Sequence, residues 1–318
     1  MEQQTPIIEL YVTRTFSEKL TAAFSFLREN WRTLLKYVTY FMLPAALVLG
    51  FFVNHFWGGY FNLLDGQFDD QVFIRFAMTT GVTIVVAAVV YVVFLAVLFA
   101  LLRLYYSRPE RLQDLQADEL MPEFYACLKR AAVFVLTMGL IIVAVIGLMG
   151  LLVGGGMAVH PAVGVIVLLL LYAALAALAI PLTLSEPIYM MEDGISIFAA
   201  YRKALRLGFA TWGGIFAISF VFSILTSILQ SFTMAPWYVL FFIKAIFTAS
   251  STLDGSFVNT IFFTMMEYLA CVLQVLGYLL SAVITTVGIQ IQYGHACDKV
   301  DGVGVAKNIE HFDEFDNF

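Results

Sequence analysis

Residues 79–102 read TTGVTIVVAAVVYVVFLAVLFALL, a run of 24 residues without a charged side chain. At 1.5 Å per residue in an α-helix, this run is about 36 Å long, which exceeds the roughly 30 Å hydrocarbon core of a bilayer. Backbone polar groups cannot stay unpaired in hydrocarbon, so a helix is the structure that the run must adopt there. The stretch therefore predicts a transmembrane helix and an integral membrane protein.

The rest of the chain shares the apolar character of this run. Of the 318 residues, 61% are hydrophobic and 13% are charged, and this charged fraction is about half that of an ordinary soluble domain. This composition excludes a disordered protein, and the lack of a basic face excludes a nucleic-acid binder. Cys127, Cys271 and Cys297 match no metal-binding spacing, which predicts free, packed thiols.

Six apolar stretches are long enough to cross a bilayer. They predict an all-α polytopic bundle in a single domain, residues 1–293, followed by an acidic cytoplasmic tail, residues 294–318. A seventh apolar stretch, residues 235–250, contains Pro236 and Lys244 and is predicted to be an interfacial or re-entrant piece. The predicted spans are approximately residues 37–56, 79–102, 131–153, 162–184, 212–234 and 268–293.

The basic residues predict the orientation of the spans. Of the 17 Lys and Arg residues, 15 lie before span one, between spans two and three, between spans four and five, or after span six. Only Arg75 and Lys244 lie in the remaining loops. Because short loops rich in Lys and Arg stay in the cytoplasm, both termini are predicted to be cytoplasmic.

Each odd-numbered span is preceded by an amphipathic segment, and the three segments align with offsets of 104 and 181 residues. Their apolar residues share one face of a helix, which predicts three hairpins that each begin with an interfacial helix, here called an elbow helix. Either the elbow helices bind a partner or lipid, or they are the ordinary way in which a chain enters a bilayer from a basic loop. The aligned residues are Phe16, Leu20, Ala23, Phe24 and Leu27; Leu120, Phe124, Cys127, Leu128 and Ala131; and Ile197, Tyr201, Ala204, Leu205 and Gly208.

The chain between spans four and five has a recognisable arrangement of Pro, Gly and small residues. Residues 181–188 read PLTLSEPI, residues 192–194 form an acidic turn that ends in glycine, and small residues then lead to Gly208. This arrangement resembles a broad group of bacterial uncharacterised six-span integral membrane proteins and the membrane domain of some glycerophosphodiester phosphodiesterases. The resemblance is loose over the whole plan and closer over residues 181–214. It implies the architecture and a bacterial inner-membrane location, and no catalysis, since these 318 residues contain no phosphodiesterase domain.

Spans five and six each carry a stripe of polar or small residues, which recur at alternating spacings of three and four residues along one side of a helix. The stripes either hold the two spans together, or form a polar seam that a lipid headgroup or small solute follows. Glu267, at the outer end, is expected to be hydrated. The seam residues are Ser219, Ser223, Thr226, Gln230, Glu267, Gln274, Tyr278, Ser281, Thr285 and Gln292.

Enzyme signatures are absent from the sequence. It contains no GxxxxGK[ST], HExxH or GxSxG motif, and no predicted span combines two carboxylates or a histidine with a carboxylate. The sequence therefore predicts no catalytic residue, no metal site and no cofactor.

The leading functional expectation is a non-catalytic scaffold or accessory subunit of the bacterial inner membrane. It would contact membrane lipids and bind a protein partner at the cytoplasmic face through the elbow helices and the tail, and it would not bind nucleic acid. Acidic residues and spaced aromatic residues in the tail suit docking on a partner, or the tail is a solvated end. The alternative is a transporter or lipid-handling protein that uses the seam between spans five and six.

Overall fold

A computed structural model describes residues 8–64, 69–249 and 256–304 of the chain. These described residues are predominantly helical and contain no β-strand. The helices are α1 (Phe16–Leu64), α2 (Asp70–Ser107), α3 (Ala117–Val159), α4 (Pro161–Leu182), α5 (Ser185–Met191), α6 (Ile197–Ala210), α7 (Trp212–Ala249) and α8 (Ile261–Asp301), with a 3₁₀ turn at Phe257–Asn259 before the last.

Six of these helices, α1, α2, α3, α4, α7 and α8, are long and apolar enough to cross a membrane. The predicted all-α membrane bundle with six spans is thereby confirmed. Most of the helices are longer than the spans that hydropathy marks. The 49 residues of α1 extend over about 73 Å, more than twice the roughly 30 Å of a hydrocarbon core. A large part of α1 therefore lies beyond the hydrocarbon.

The amphipathic segments before the odd-numbered spans are helical in all three copies, but they differ in how they join the span. The first two are continuous with it, as the N-terminal parts of α1 and α3. The third is a separate helix, α6, which Ser196 caps by accepting a hydrogen bond from the Ala199 N–H at 3.3 Å. Thr211 leaves helical geometry between α6 and α7, with φ −125° and ψ 22°. Only the third elbow helix is therefore separated from its span by a break.

The seventh apolar stretch is not a separate interfacial or re-entrant piece. Its described residues, 235–249, continue α7, which runs through Pro236 without interruption. Proline in a membrane helix removes one backbone donor, and neighbouring groups satisfy the carbonyl that is freed. At the other end of the chain, α8 continues past the predicted start of the tail to Asp301, and residues 305–318 lie outside the described residues.

The chain forms two compact units. Unit 1 comprises Met1–Trp31, Phe99–Phe222 and Thr286–Phe318, and unit 2 comprises Arg32–Leu98 and Ser223–Thr285. In unit 1, α4 packs on α6 where Gly208 meets Pro181. A Cβ at Gly208 would lie 2.5 Å from the Pro181 Cα and 2.9 Å from its carbonyl oxygen. Only glycine permits this backbone approach, which explains why the segment between spans four and five has a glycine at this place.

Unit 2 is held together where α1, α7 and α8 meet. Trp237, Ala270 and Cys271 form a buried cluster, and Val53 and Trp57 of α1 pack against it. All three cysteines of the chain are free and buried, as the sequence predicts. The core of unit 2 thus includes the part of α7 that lies beyond predicted span five.

Candidate functional site

Charged side chains in unit 1 pair with one another around the acidic turn that precedes α6. Arg103 of α2 pairs with Glu123 at 2.7 Å and also with Asp193 in the turn. Arg130 of α3 pairs with Asp193 at 3.1 Å and donates from its Nε to the Tyr189 carbonyl oxygen at 3.0 Å. Two arginines from different helices therefore hold the turn, and these charges already have partners within the chain.

Glu192, in the same turn, is the centre of a second cluster in unit 1. Its Oε1 accepts hydrogen bonds from Lys203 Nζ at 2.7 Å and from the Tyr293 hydroxyl at 2.7 Å. Burial is the largest single influence on Lys203 and disfavours its charged form, but the hydrogen bond to Glu192 and the nearby negative groups, including Asp301, together outweigh burial and raise the pKa of Lys203 above its usual value. The cluster joins α6 to α8 through the turn.

Gln292, the last residue of the predicted seam, lies in unit 1 and is fully buried. Its Oε1 accepts a hydrogen bond from Lys19 Nζ at 2.9 Å, and Lys19 is only 5% exposed. Among the described residues, no carboxylate lies within ion-pair distance of Lys19. Gln292 therefore solvates a buried ammonium group. Ser219, the other seam residue of unit 1, is half-buried on α7.

The predicted seam continues along α7 in unit 2 at Ser223, Thr226 and Gln230. The Thr226 hydroxyl donates to the Ser223 carbonyl oxygen at 3.2 Å within the same helix. Gln230 is half-buried and lines a shallow depression whose lining residues, within 227–242, all belong to α7. This depression does not contain any of the predicted seam residues of α8.

The seam residues of α8 in unit 2 make few bonds to α7. The Thr285 hydroxyl donates to the Ser281 carbonyl oxygen at 3.2 Å, and the buried Ser281 Oγ has no hydrogen-bond partner in the described structure. The Tyr278 hydroxyl lies 3.9 Å from Met234 Sδ of α7. The two helices approach closely at Gly277, where a Cβ would overlap the Thr233 side chain. This geometry favours helix packing through a small residue at this point.

Gln274 lines a cavity of about 340 Å³ in unit 2 that does not involve α7. The side chain is 6% exposed, and its Oε1 is buried without a hydrogen-bond partner among the described residues. The cavity is largely apolar, and its lining residues are Leu49 and Val53 of α1, Thr83, Ala87, Val90 and Tyr91 of α2, and Gln274, Val275, Tyr278 and Leu279 of α8. Gln274 and Gln230 thus line different surfaces of unit 2.

A second cavity, of about 470 Å³, lies between the ends of α1, α7 and α8 in unit 2. Lys244 Nζ on one wall donates to both carboxylate oxygens of Glu267, at 2.8 and 3.0 Å. The Glu267 side chain is 15% exposed, so this carboxylate is paired and not simply hydrated as expected. Asn54, His55, Asn259 and Thr264 add polar groups to the lining.

Aromatic rings form the apolar wall of this second cavity. The ring centroids of Trp57 and Trp237 are 4.5 Å apart, and Phe241 stacks on Trp237 with an interplanar angle of 3°. Trp237 is only 7% exposed, because the neighbouring rings cover it. The cavity therefore combines an ammonium, a carboxylate and a rigid aromatic wall.

Sequence patterns alone did not identify Lys244, Asn54 or Trp57 as neighbours of Glu267. The available signal was a lysine within an otherwise apolar stretch, residues 235–250, because a charged group among apolar residues requires a counter-charge. A metal centre has no support in the described part of the chain, where no group of three or more His, Cys, Asp or Glu residues is placed to hold an ion.

Comparison with known proteins found no match for this chain among family models, curated proteins or solved structures.

Proposed function

We propose that the chain is a non-catalytic, multi-pass protein of the bacterial inner membrane that binds a lipid-like amphiphile in unit 2. Both termini are cytoplasmic in this proposal, as the distribution of basic residues predicts. The proposal is the lipid-handling alternative, with the binding surface moved from the seam between α7 and α8 to the cavity lined by α1, α2 and α8.

The Gln274 cavity carries the proposal. Burial of an amide without a hydrogen bond costs about 1–3 kcal/mol on the scale of protein mutational data, and buried polar groups are normally paired. Gln274 occupies predicted span six, at a depth where lipid surrounds the protein and water is scarce. Rotation of the Gln274 amide would turn its N–H donors toward the ester carbonyl of a bound amphiphile, whose acyl chain would fill the apolar lining.

Gln274→Leu tests the proposal, because leucine has a similar size and no polar atoms. We expect the variant to lose the phospholipid that copurifies with the wild-type protein in mild detergent, as measured by native mass spectrometry. Because the unpaired side-chain oxygen is gone, the free energy of unfolding should increase by about 1–2 kcal/mol. A more stable protein that binds less lipid is the signature of a binding residue.

Gln230→Leu is the matched control, since Gln230 is the corresponding amide of α7 and lines another surface. It should leave lipid retention unchanged. Lipid retention by Gln274→Leu equal to that of the wild type would reject the proposal, whatever the change in stability.

The scaffold remains a second candidate, because the hairpin of α3 and α4 is poorly covered by the rest of the chain. Only 6% of the most apolar window of each helix is buried, against 61% for α8. On α3, the positions that a Cβ would occupy at Gly150 and Gly154 have no heavy atom within 4 Å. Small residues four apart allow another transmembrane helix to approach closely. The partner in this candidate is a membrane protein that packs on α3.

A partner on α3 should be lost when this surface is made bulky. We expect Gly150→Leu combined with Gly154→Leu to abolish copurification of a partner membrane protein at wild-type expression. Ala144→Leu, at an exposed position on a different side of α3, should retain it. If the partner is lost from both the double glycine variant and Ala144→Leu, or from neither, the support for a scaffold that uses this surface is removed.

A further inference from the structure

The Lys244–Glu267 cavity has the charge pattern of a site for a zwitterion. One wall carries a positive and a negative group side by side, with Lys244 Nζ 2.8 Å from Glu267 Oε1. A ligand with the opposite order of charges would place its anion on the ammonium and its cation on the carboxylate. The two pairs of charges would then attract each other without separating the Lys244–Glu267 pair.

Both members of the pair retain hydrogen-bonding capacity for such a ligand. A lysine ammonium has three N–H donors, and an ionised carboxylate offers about four lone-pair positions on two oxygens. The contacts within the pair use at most two donors of Lys244 and one position on each oxygen of Glu267. Lys244 is 37% exposed and lines the cavity, so a ligand there can reach the side chain.

The two cavities of unit 2 are arranged in sequence along α8. Glu267 and Gln274 are seven residues apart on one stripe of the helix, a rise of about 10 Å. On α1, Val53 lines the Gln274 cavity and the adjacent Asn54 lines the Lys244–Glu267 cavity. Since the polar layer of one leaflet is about 5–8 Å thick, a step of this size leads from headgroups into hydrocarbon.

We infer that the Lys244–Glu267 cavity recognises the phosphoethanolamine headgroup of a phospholipid whose acyl chains enter the Gln274 cavity. The headgroup ammonium donates to Glu267, and its phosphate accepts from Lys244. This inference rests on the proposed function, since the ligand is the same amphiphile. Choline fits less well, because a quaternary ammonium cannot donate hydrogen bonds and recognition by ring faces is limited where neighbouring rings cover Trp237.

The test is native mass spectrometry of the full-length protein titrated with phospholipids that have identical chains and different headgroups. We expect phosphatidylethanolamine to bind about tenfold more tightly than phosphatidylglycerol or phosphatidylcholine, the effect of one charge-assisted hydrogen bond. Glu267→Gln should abolish this preference while phosphatidylglycerol still binds. Arg75→Gln, which removes the other basic residue on the predicted outer side, should retain the preference.

A charge-swapped variant distinguishes loss of headgroup recognition from loss of folding. Lys244→Glu combined with Glu267→Lys keeps an ion pair in the cavity but reverses its order. A lipid cannot reverse its own charges, since its phosphate is attached to glycerol, so the preference for phosphatidylethanolamine should disappear. Soluble O-phosphoethanolamine can bind in either orientation, so it serves as the probe for recognition of a free zwitterion.

Each outcome decides between the inference and its alternatives. Equal wild-type affinity for the three lipids overturns the inference, and the proposed function stands if Gln274→Leu still loses all of them. Tight binding of O-phosphoethanolamine with no preference among lipids also overturns the inference, because the cavity then takes a free solute. If no phospholipid binds the wild type, the proposed function itself fails.

Discussion

At the scale of single residues, Glu192 connects three parts of unit 1. It accepts hydrogen bonds from Lys203 on α6 and Tyr293 on α8, while its own backbone belongs to the turn before α6. The Lys203 side chain is only 23% exposed, and its other carboxylate partner, Asp301, is 4.0 Å away. Stability of the cluster therefore depends mainly on one carboxylate.

Glu192→Gln should lower the free energy of unfolding by about 1–3 kcal/mol, because a partly buried ammonium loses its charged acceptor. Thermal unfolding in detergent measures this change. Asp118→Asn, at an exposed carboxylate of α3, should change the unfolding free energy by less than about 0.5 kcal/mol. Equal effects of the two substitutions would show that the change in unfolding free energy comes from removal of any negative charge and not from this cluster.

The raised pKa of Lys203 predicts how this contribution depends on pH. A group whose pKa is raised by folding stabilises the protein below its unfolded pKa, about 10.4 for lysine, and loses that contribution as pH rises through the folded pKa. The stability difference between wild type and Lys203→Met should therefore be constant from about pH 7 to 9 and shrink above about pH 10.5. A difference that shrinks between pH 7 and 9 would contradict the raised pKa.

Residue identity within the seam was predictable, but residue partners were not. Helical periodicity places Glu267, Gln274 and Tyr278 on one stripe of α8, yet it contains no information on which helix faces that stripe. Gln274 faces a cavity lined by α1, α2 and α8, while Glu267 pairs with a lysine 23 residues earlier in the chain. Such pairings depend on how helices rotate about their axes when they pack.

At the scale of elements, the contact between α4 and α6 depends on the missing side chain of Gly208. The atoms that a Cβ would meet belong largely to the backbone of Pro181 and cannot rotate away. Gly208→Ala should therefore separate the helices and lower the free energy of unfolding by about 1–3 kcal/mol, the usual cost of overpacking. Thermal unfolding and expression level in membranes check this outcome.

Gly213→Ala is the matched control for this contact, since no heavy atom lies within 4 Å of the position of its Cβ. It should be neutral or slightly stabilising, because alanine has the better helix propensity. If Gly208→Ala were equally well tolerated, the close approach of α4 and α6 would not be required for folding.

Hydropathy predicted the number of spanning helices but not their lengths. The free energy of transfer into lipid depends on apolar side chains, so hydropathy marks the part of α7 that can cross the bilayer. The helix itself continues for as long as its backbone hydrogen bonds are formed. Pro236 does not end α7, and the polar residues of the first elbow helix do not interrupt α1. Helix termini follow from caps and packing, which a hydropathy average does not contain.

At the scale of the whole molecule, the topology prediction is accessible to labelling without removal of the native cysteines. All three native thiols are buried, so a membrane-impermeant maleimide should react only with an added cysteine. In intact spheroplasts we expect Ser256→Cys to be labelled and Asn308→Cys to be labelled only after lysis. Labelling of Asn308→Cys from outside would refute a cytoplasmic C-terminus, and labelling of both positions from outside would refute six spans.

The two units of the chain could not be foreseen from the order of its hairpins. Each unit draws on segments far apart in sequence, such as Met1–Trp31 with Thr286–Phe318 in unit 1. A repeat of elbow helix, span and span describes local order along the chain. It does not determine which copies pack together, because that depends on shape at contacts such as Gly50 against Val272 in unit 2.

The break at Thr211 gives unit 1 a mechanical asymmetry. In α3, the elbow helix and its span form one continuous helix of 43 residues, about 65 Å long. A rotation of this helix at Leu120 therefore also rotates the apolar residues of its span. In α6, such a rotation is not carried directly into α7, because helical geometry ends at Thr211. The second elbow helix is therefore continuous with its span, whereas the third is joined to its span at a residue outside helical geometry.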